Sequence, residues 1–207
     1  MRVGIYGGTF DPPHIGHINI CKAFLEQLNL DKVYVMPAFI PPHKLVFDND
    51  PYTRYEMSKI AFDNISDKII ISDLELKRRG RSYTAETISY FAEYGDYEVY
   101  LLCGTDMFLT LGEWYKPDYI FKHSKIVHAR RVDDPDTDEV VEYKARLYKE
   151  KFNAEILTLD IEALELSSSE IREKINSGCD VTDLISEDVY NYIKEKSLYI
   201  NKLKYEI

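Results

Sequence analysis

Two periods of apolar and polar residues take turns along the 207-residue chain. Short, nearly unbroken apolar runs fit buried strands, and stretches with apolar residues three or four apart fit helices that pack by one face. Val3-Gly4-Ile5-Tyr6 is the first apolar run, and Ile20, Phe24, Leu25 and Leu28 give residues 18–30 their helical spacing. Further strands are predicted at 32–36, 68–72, 98–103, 125–129 and 155–159. Helices are predicted at 53–64, 85–94, 139–152, 166–178 and 183–199, the last with Val189, Tyr192, Ile193 and Leu198 on its apolar face. The run at 98–103 is apolar almost throughout, which predicts a central strand.

Strands alternating with helices predict an α/β chain: a Rossmann-like open, mostly parallel sheet with helices on both faces. The expected organisation is a single domain over residues 1–207, with a core at 1–165 and a small C-terminal helical segment at 166–207. Between the first strand and first helix runs Gly7-Gly8-Thr9-Phe10-Asp11-Pro12-Pro13-His14-Ile15-Gly16-His17. Glycines at such a turn let a ligand approach the backbone. Thr9, the loop amides and the helix start make phosphate the expected guest. Gly16 keeps the helix start thin, and His14 and His17, three apart, can turn their rings to one spot. Two imidazoles there can stabilise charge that builds up during transfer. A metal pair is the other reading, but no third His, Cys or Glu nearby completes a ligand set. The pattern is neither a dinucleotide Gly-x-Gly-x-x-Gly fingerprint nor a P-loop.

The net charge of −10 argues against nucleic acid as a partner but permits a small anionic substrate at a local positive cluster. Three scattered cysteines fit neither a metal site nor a disulfide framework, and point to a reducing cytoplasm. A strand begins two residues into the chain, which predicts no signal peptide, and no apolar run nears the roughly 20 residues of a membrane span.

Several later segments carry polar groups that serve either a ligand or the fold. Pro41-Pro42-His43-Lys44 puts a lysine on a stiffened loop after the second strand. Arg54 sits in a first helical turn, where the dipole disfavours it, and reads as a ligand group or a solvated arginine. Lys77-Arg78-Arg79-Gly80-Arg81 reads as a phosphate-attracting mouth or a solvated loop. Ser82-Tyr83-Thr84 precedes a helix with Thr84 as its expected N-cap, and free amides there suit a carboxylate. Gly104-Thr105-Asp106 ends the fourth strand, where ligands bind in open α/β sheets, with Asp106 facing a ribose or capping the next helix. Trp114 packs in the core or stacks on a heterocycle. The acidic run at 133–139 reads as a solvated loop. Ser167, Ser168, Ser169 and Glu170 read as ordinary helix capping, but Arg172 one turn on shares their side, a set that would hold a triphosphate.

Taken together, the Gly-Gly-Thr-Phe-Asp-Pro loop with its H-x-G-H, Pro-Pro-His-Lys, Arg79-Gly80 running to Ser82-Tyr83-Thr84, Gly-Thr-Asp with Trp114, and Ser-Ser-Ser-x-Ile-Arg resemble the bacterial nicotinate-nucleotide adenylyltransferases of the H-x-G-H nucleotidyltransferase superfamily. The chain departs from that pattern at Leu166, Ser169 and Arg81, and at Arg130, which Arg131-Val132 follows in place of Pro-Gly. The resemblance implies transfer of the adenylyl group of ATP to nicotinate mononucleotide, with Mg²⁺ carried by the ATP. It implies His14, His17, Lys44 and Arg172 as catalytic. Gly7, Gly8, Thr9, Phe10, Gly16, Gly104, Asp106, Ser168 and Ser169 would bind ATP. Ser82, Tyr83, Thr84, Trp114 and Arg130 would bind the nicotinate nucleotide. A sister transferase acting on nicotinamide mononucleotide or phosphopantetheine, a non-catalytic nucleotide-binding protein and a metalloprotein on Asp11, His14 and His17 are the competing readings. Homo-oligomerisation stays open.

Overall fold

The computed structural model describes residues 1–42, 49–131, 135–161 and 166–200. Six strands among them form one sheet: β1 (Arg2–Gly8), β2 (Lys32–Pro37), β3 (Ile69–Ile71), β4 (Glu98–Cys103), β5 (Lys125–Arg131) and β6 (Ile156–Ile161). Their order is β3-β2-β1-β4-β5-β6. All five pairings are parallel, with Ile5 opposite Tyr34 on one side and Leu101 on the other. The chain winds outward from β1 in one direction and from β4 in the other. The crevice between these two strands, at their C-terminal ends, is the topological switch point where ligands bind in such sheets.

The helices are α1 (Ile15–Gln27), α2 (Pro51–Phe62), α3 (Leu74–Arg78), α4 (Thr84–Tyr94), α5 (Thr105–Thr110), α6 (Pro117–His123), α7 (Pro135–Phe152), α8 (Ser168–Asn176) and α9 (Glu187–Glu195). They cover both faces of the sheet, so its central strands are buried on both sides and read as continuous apolar runs. One core joins α1, α2, α8 and α9 to the sheet through Phe24, Met57, Ile171, Val189 and Ile193. The other joins α4 to α7 through Ile88, Phe108, Phe121 and Tyr148. Gly4 sets the spacing of the first layer: a Cβ there would lie 2.5 Å from the Phe24 ring, so glycine lets α1 sit close on β1. Among the described residues, no helix is long and apolar enough to cross a membrane.

The sequence expectations need several corrections. The first helix begins at Ile15 rather than 18, because its N-cap is His14. The segment at 77–81 is not all loop: Lys77 and Arg78 end α3, whose first turn follows Asp73. The N-cap of α4 is Tyr83, so Thr84 is already the first helical residue. The helix expected at 139 begins at Pro135, since proline fits a first turn, where its missing N–H costs nothing. Residues 132–134 lie outside the described residues. The C-terminal helix is shorter than 183–199, running Glu187–Glu195 with Ser186 as its cap.

Candidate active site

An open cleft of about 1610 Å³ lies over the switch point. Its floor is the loop after β1, with Gly7, Gly8, Thr9, Phe10, His14, Gly16 and His17 on its wall. The volume exceeds the range usual for a site that holds one drug-sized ligand.

The two histidines are placed by the start of α1. The His14 N–H donates to His17 Nδ1 at 3.2 Å, and the imidazoles stack with centroids 3.7 Å apart. A neutral His17 whose Nδ1 accepts carries its proton on Nε2, which makes that nitrogen a donor. His14 is buried, and burial lowers its pKa to about 4, so it is neutral at pH 7. Its Nδ1 has no hydrogen-bond partner. A Cβ on Gly16 would lie 3.0 Å from that nitrogen, so the residue between the histidines has to be small. Stacked rings do not converge on a common ion. Among the described residues no group of three His, Cys, Asp or Glu is arranged to hold a metal.

The Phe10 side chain belongs to the core: it is buried against Tyr6 and Phe62, with its ring edge-on to His17 at 5.0 Å. Its backbone holds φ 52°, and the residue as a whole is almost fully buried at the edge of the cleft.

Across the cleft, α8 is docked on the same loop. Ser168 Oγ donates to the Pro12 carbonyl at 2.9 Å, and Arg172 Nη1 donates to the Asp11 carbonyl at 2.9 Å. Arg172 Nη2 donates to Ser169 Oγ at 3.3 Å. Ser167 caps α8 and forms a reciprocal box with Glu170, so of the three serines it is the one that does the capping. Ser168, Ser169 and Arg172 all line the cleft, which brings the late serine run beside the histidine loop.

The second half of the cleft is the start of α4 with Trp114. No side chain caps α4; the Glu86 and Thr87 N–H groups donate to the Tyr83 carbonyl at 3.0 and 3.3 Å, which leaves the Thr84 and Ala85 N–H groups at the helix start, beside the wall formed by Tyr83, Thr84, Trp114 and Tyr115. Trp114 is half-buried, and its indole N–H donates to Thr110 Oγ1 at 3.2 Å. It thus serves the edge of the core and the cleft together. Tyr83 and Tyr115 rings lie 4.6 Å apart. The Ser82 hydroxyl is buried and already engaged, accepting from the Phe39 N–H at 2.9 Å. Gly104 is the N-cap of α5 and Asp106 lies in its first turn, exposed on the cleft wall.

Three expectations look different in three dimensions. Arg130 is not on the cleft wall: its guanidinium binds Asp138 at 2.9 Å through Nε and lies 3.6 Å from Asp160. These carboxylates hold its pKa above the usual guanidinium value. Arg79, the arginine on which the resemblance rests, is not on the cleft wall. Arg78 pairs with Glu75 and with Glu86 at 3.2 Å, Lys77 with Asp73, and within the basic run it is Arg81 that lines the cleft. Arg54 is neither a ligand group nor solvated: it is fully buried and holds loop carbonyls. Its unfavourable place in a first helical turn was the available signal. Glu75 was missed altogether. It is a buried carboxyl on the cleft wall, pushed up by burial, that accepts from Thr87 Oγ1 at 2.6 Å. Lys44 lies outside the described residues.

The cytidylyltransferase-like family model matches residues 5–174. A probable nicotinate-nucleotide adenylyltransferase of Clostridium tetani is 41% identical over 96% of this chain and 98% of its own length. Its counterpart in Borreliella burgdorferi is 35% identical over 98% and 99%. Among solved structures, the nicotinic acid mononucleotide adenylyltransferase of Plasmodium falciparum complexed with NaAD superposes with a TM-score of 0.76. That likeness covers 96% of this chain and 97% of the other at 21% identity, and so speaks for the fold.

Proposed function

The chain belongs to the cytidylyltransferase-like family and, along its full length, to the nicotinate-nucleotide adenylyltransferases within it, and from that premise we propose that it transfers the adenylyl group of ATP to nicotinate mononucleotide, giving nicotinate adenine dinucleotide and pyrophosphate. The observation that carries this reading is the stacked pair His14 and His17 in one cleft with the uncapped start of α4.

The acceptor phosphate is anionic at neutral pH and needs no strong base, so catalysis reduces to alignment and charge stabilisation. The acceptor's 5′-phosphate oxygen bonds to the α-phosphorus as the bond to pyrophosphate breaks. His17 Nε2–H and the His14 ring face the phosphates, and Arg172 with Ser169 neutralises them from the α8 side. Lys44, which lies between β2 and α2 in the sequence, is assigned to the same phosphates. Gly7, Gly8, Thr9, Gly104 and Asp106 line the adenosine side. Mg²⁺ arrives on the triphosphate as part of the substrate.

The Thr84 and Ala85 amides at the uncapped start of α4 suit the nicotinate carboxylate, and Trp114 the ring. An amide in place of the carboxylate would turn its own donors toward those N–H groups. We read the enzyme as cytoplasmic, with small-molecule substrates and, at a net charge of −10, no nucleic-acid partner.

Pyrophosphate release with ATP and Mg²⁺ tests the reading across three acceptors. Turnover is expected on nicotinate mononucleotide and at least about tenfold less on nicotinamide mononucleotide, one unpaired donor being worth that much or more. Turnover confined to phosphopantetheine would reassign the α4 half of the cleft. ATP binding without turnover on any acceptor would favour a nucleotide-binding protein.

A further inference from the structure

Among the described residues, the largest fully buried side chain is a cation that the chemistry above leaves unused, Arg54. It lies in α2, whose N-cap Asp50 accepts from the Tyr52 and Thr53 N–H groups. The guanidinium reaches out of the helix and across two loops. Nη1 donates to the Thr9 carbonyl at 2.8 Å, and Nη2 donates to the Ala38 carbonyl at 2.6 Å and the Phe39 carbonyl at 3.1 Å. Nε faces the Asn49 carbonyl at 3.4 Å. Burying a guanidinium is costly unless its donors are met, and here carbonyls meet them while Asp11 and Asp50 balance the charge.

The Thr9 contact has a consequence for the cleft. In a trans peptide the C=O of one residue and the N–H of the next point in opposite directions. With the Thr9 carbonyl drawn onto Arg54, the Phe10 N–H is turned away from Arg54, in a stretch where Thr9 and Phe10 both border the cleft. Phe10 holds φ 52°, a region that costs a non-glycine residue free energy and persists when the surroundings over-determine it. Were this peptide to flip, a carbonyl would face the phosphates in place of a donor.

We infer that Arg54 is a positioning residue, which fixes the Thr9–Phe10 peptide with its N–H toward bound phosphate and ties that loop to the loop after β2. The second loop carries the effect onward. Phe39 N–H donates to Ser82 Oγ at 2.9 Å, Ser82 N–H donates to the Ile40 carbonyl at 2.9 Å, and Ile40 bridges Arg81. The phosphate loop and the start of α4 are therefore fastened to each other through residues 38–40. The inference rests on phosphates occupying the histidine loop, and does not depend on which acceptor is used.

The test compares ATP with adenosine, by calorimetric titration of the wild type and Arg54→Lys. A lysine keeps the charge but is a compact ammonium that cannot span three carbonyls in a plane. The expected result is an ATP affinity about tenfold weaker, with adenosine affinity within about threefold of wild type. A loss shared equally by ATP and adenosine means a structural role only and overturns the inference, as does an unchanged ATP affinity. If the lysine variant does not fold, amide NMR of the wild type decides. The Phe10 resonance should move with ATP and not with adenosine, and a Phe10 amide indifferent to ATP overturns the inference. Neither readout uses nicotinate mononucleotide, so a wrong acceptor assignment leaves both intact.

Discussion

His14 is a buried base that the fold holds neutral, and this has a cost that depends on pH. Its folded pKa of about 4 lies below the 6.5 of a free imidazole. Between those values the unfolded chain binds a proton that the folded chain refuses. Stability from this group is therefore complete above pH 6.5 and declines as pH falls toward 4, by about 2 kcal/mol between pH 7 and 5. Urea unfolding of the wild type and His14→Gln at the two pH values should show that difference in the wild type alone; equal slopes would mean that His14 is not desolvated. Individual side chains were unevenly legible in the sequence. The histidine pair could be read because three residues at a helix start place two rings together whatever the rest does. Arg54 and Ser82 could not. What they bind, the carbonyls of Thr9, Ala38 and Phe39 and the amide of Phe39, comes from loops 15 to 45 positions away in sequence. Arg130 misled for the same reason, since its partners Asp138 and Asp160 belong to α7 and β6.

At the scale of elements, long periodic segments were legible and short ones were not. All six strands and the helices α1, α2, α4, α7, α8 and α9 follow from the alternation of periods. The helices α3, α5 and α6 have five to seven residues, fewer than two turns, too few for a 3.6-residue period to repeat. They are stabilised by what they pack on, as Phe108 and Phe121 show by lying wholly inside the core. The end of the chain is the informative case. The apolar face of α9 was visible in the sequence, but not what it covers. In the structure Val189 and Ile193 share a core with Phe24 and Met57, and Tyr199 donates to Asp11 Oδ1 at 2.6 Å within the histidine loop. Truncating Ile193 to alanine is expected to cost about 2–4 kcal/mol, as in other buried sites, read from the urea midpoint. A loss under about 1 kcal/mol would mean that α9 is only loosely applied to the sheet.

For the whole molecule, the α/β class was legible because buried parallel strands leave continuous apolar runs, which an alternating pattern would not. Strand order was not, since nothing local in β1 says that its neighbours are β2 and β4. That order is what makes the site: it opens the crevice between β1 and β4 and gathers loops from positions 7–17, 82–84, 104–114 and 168–172 around it. The sequence could supply each loop and the structure supplies their meeting. An acidic chain of net charge −10 is compatible with the phosphate site proposed above, because a loop, two helix starts and Arg172 converge locally on the cleft.

The central claim is that the histidines act on charge developing in the transition state rather than on binding alone. Nicotinate adenine dinucleotide formation by the wild type and His17→Ala, measured at saturating ATP and nicotinate mononucleotide beside the ATP affinity of each, tests it most directly. The expected result is a kcat lower by about 10²–10³, the loss seen when one preorganised donor is removed, with ATP affinity changed by no more than about fivefold. A His17→Ala enzyme that keeps its kcat and loses only affinity would contradict the claim, leaving the loop a place where ATP is held rather than where its phosphates are activated.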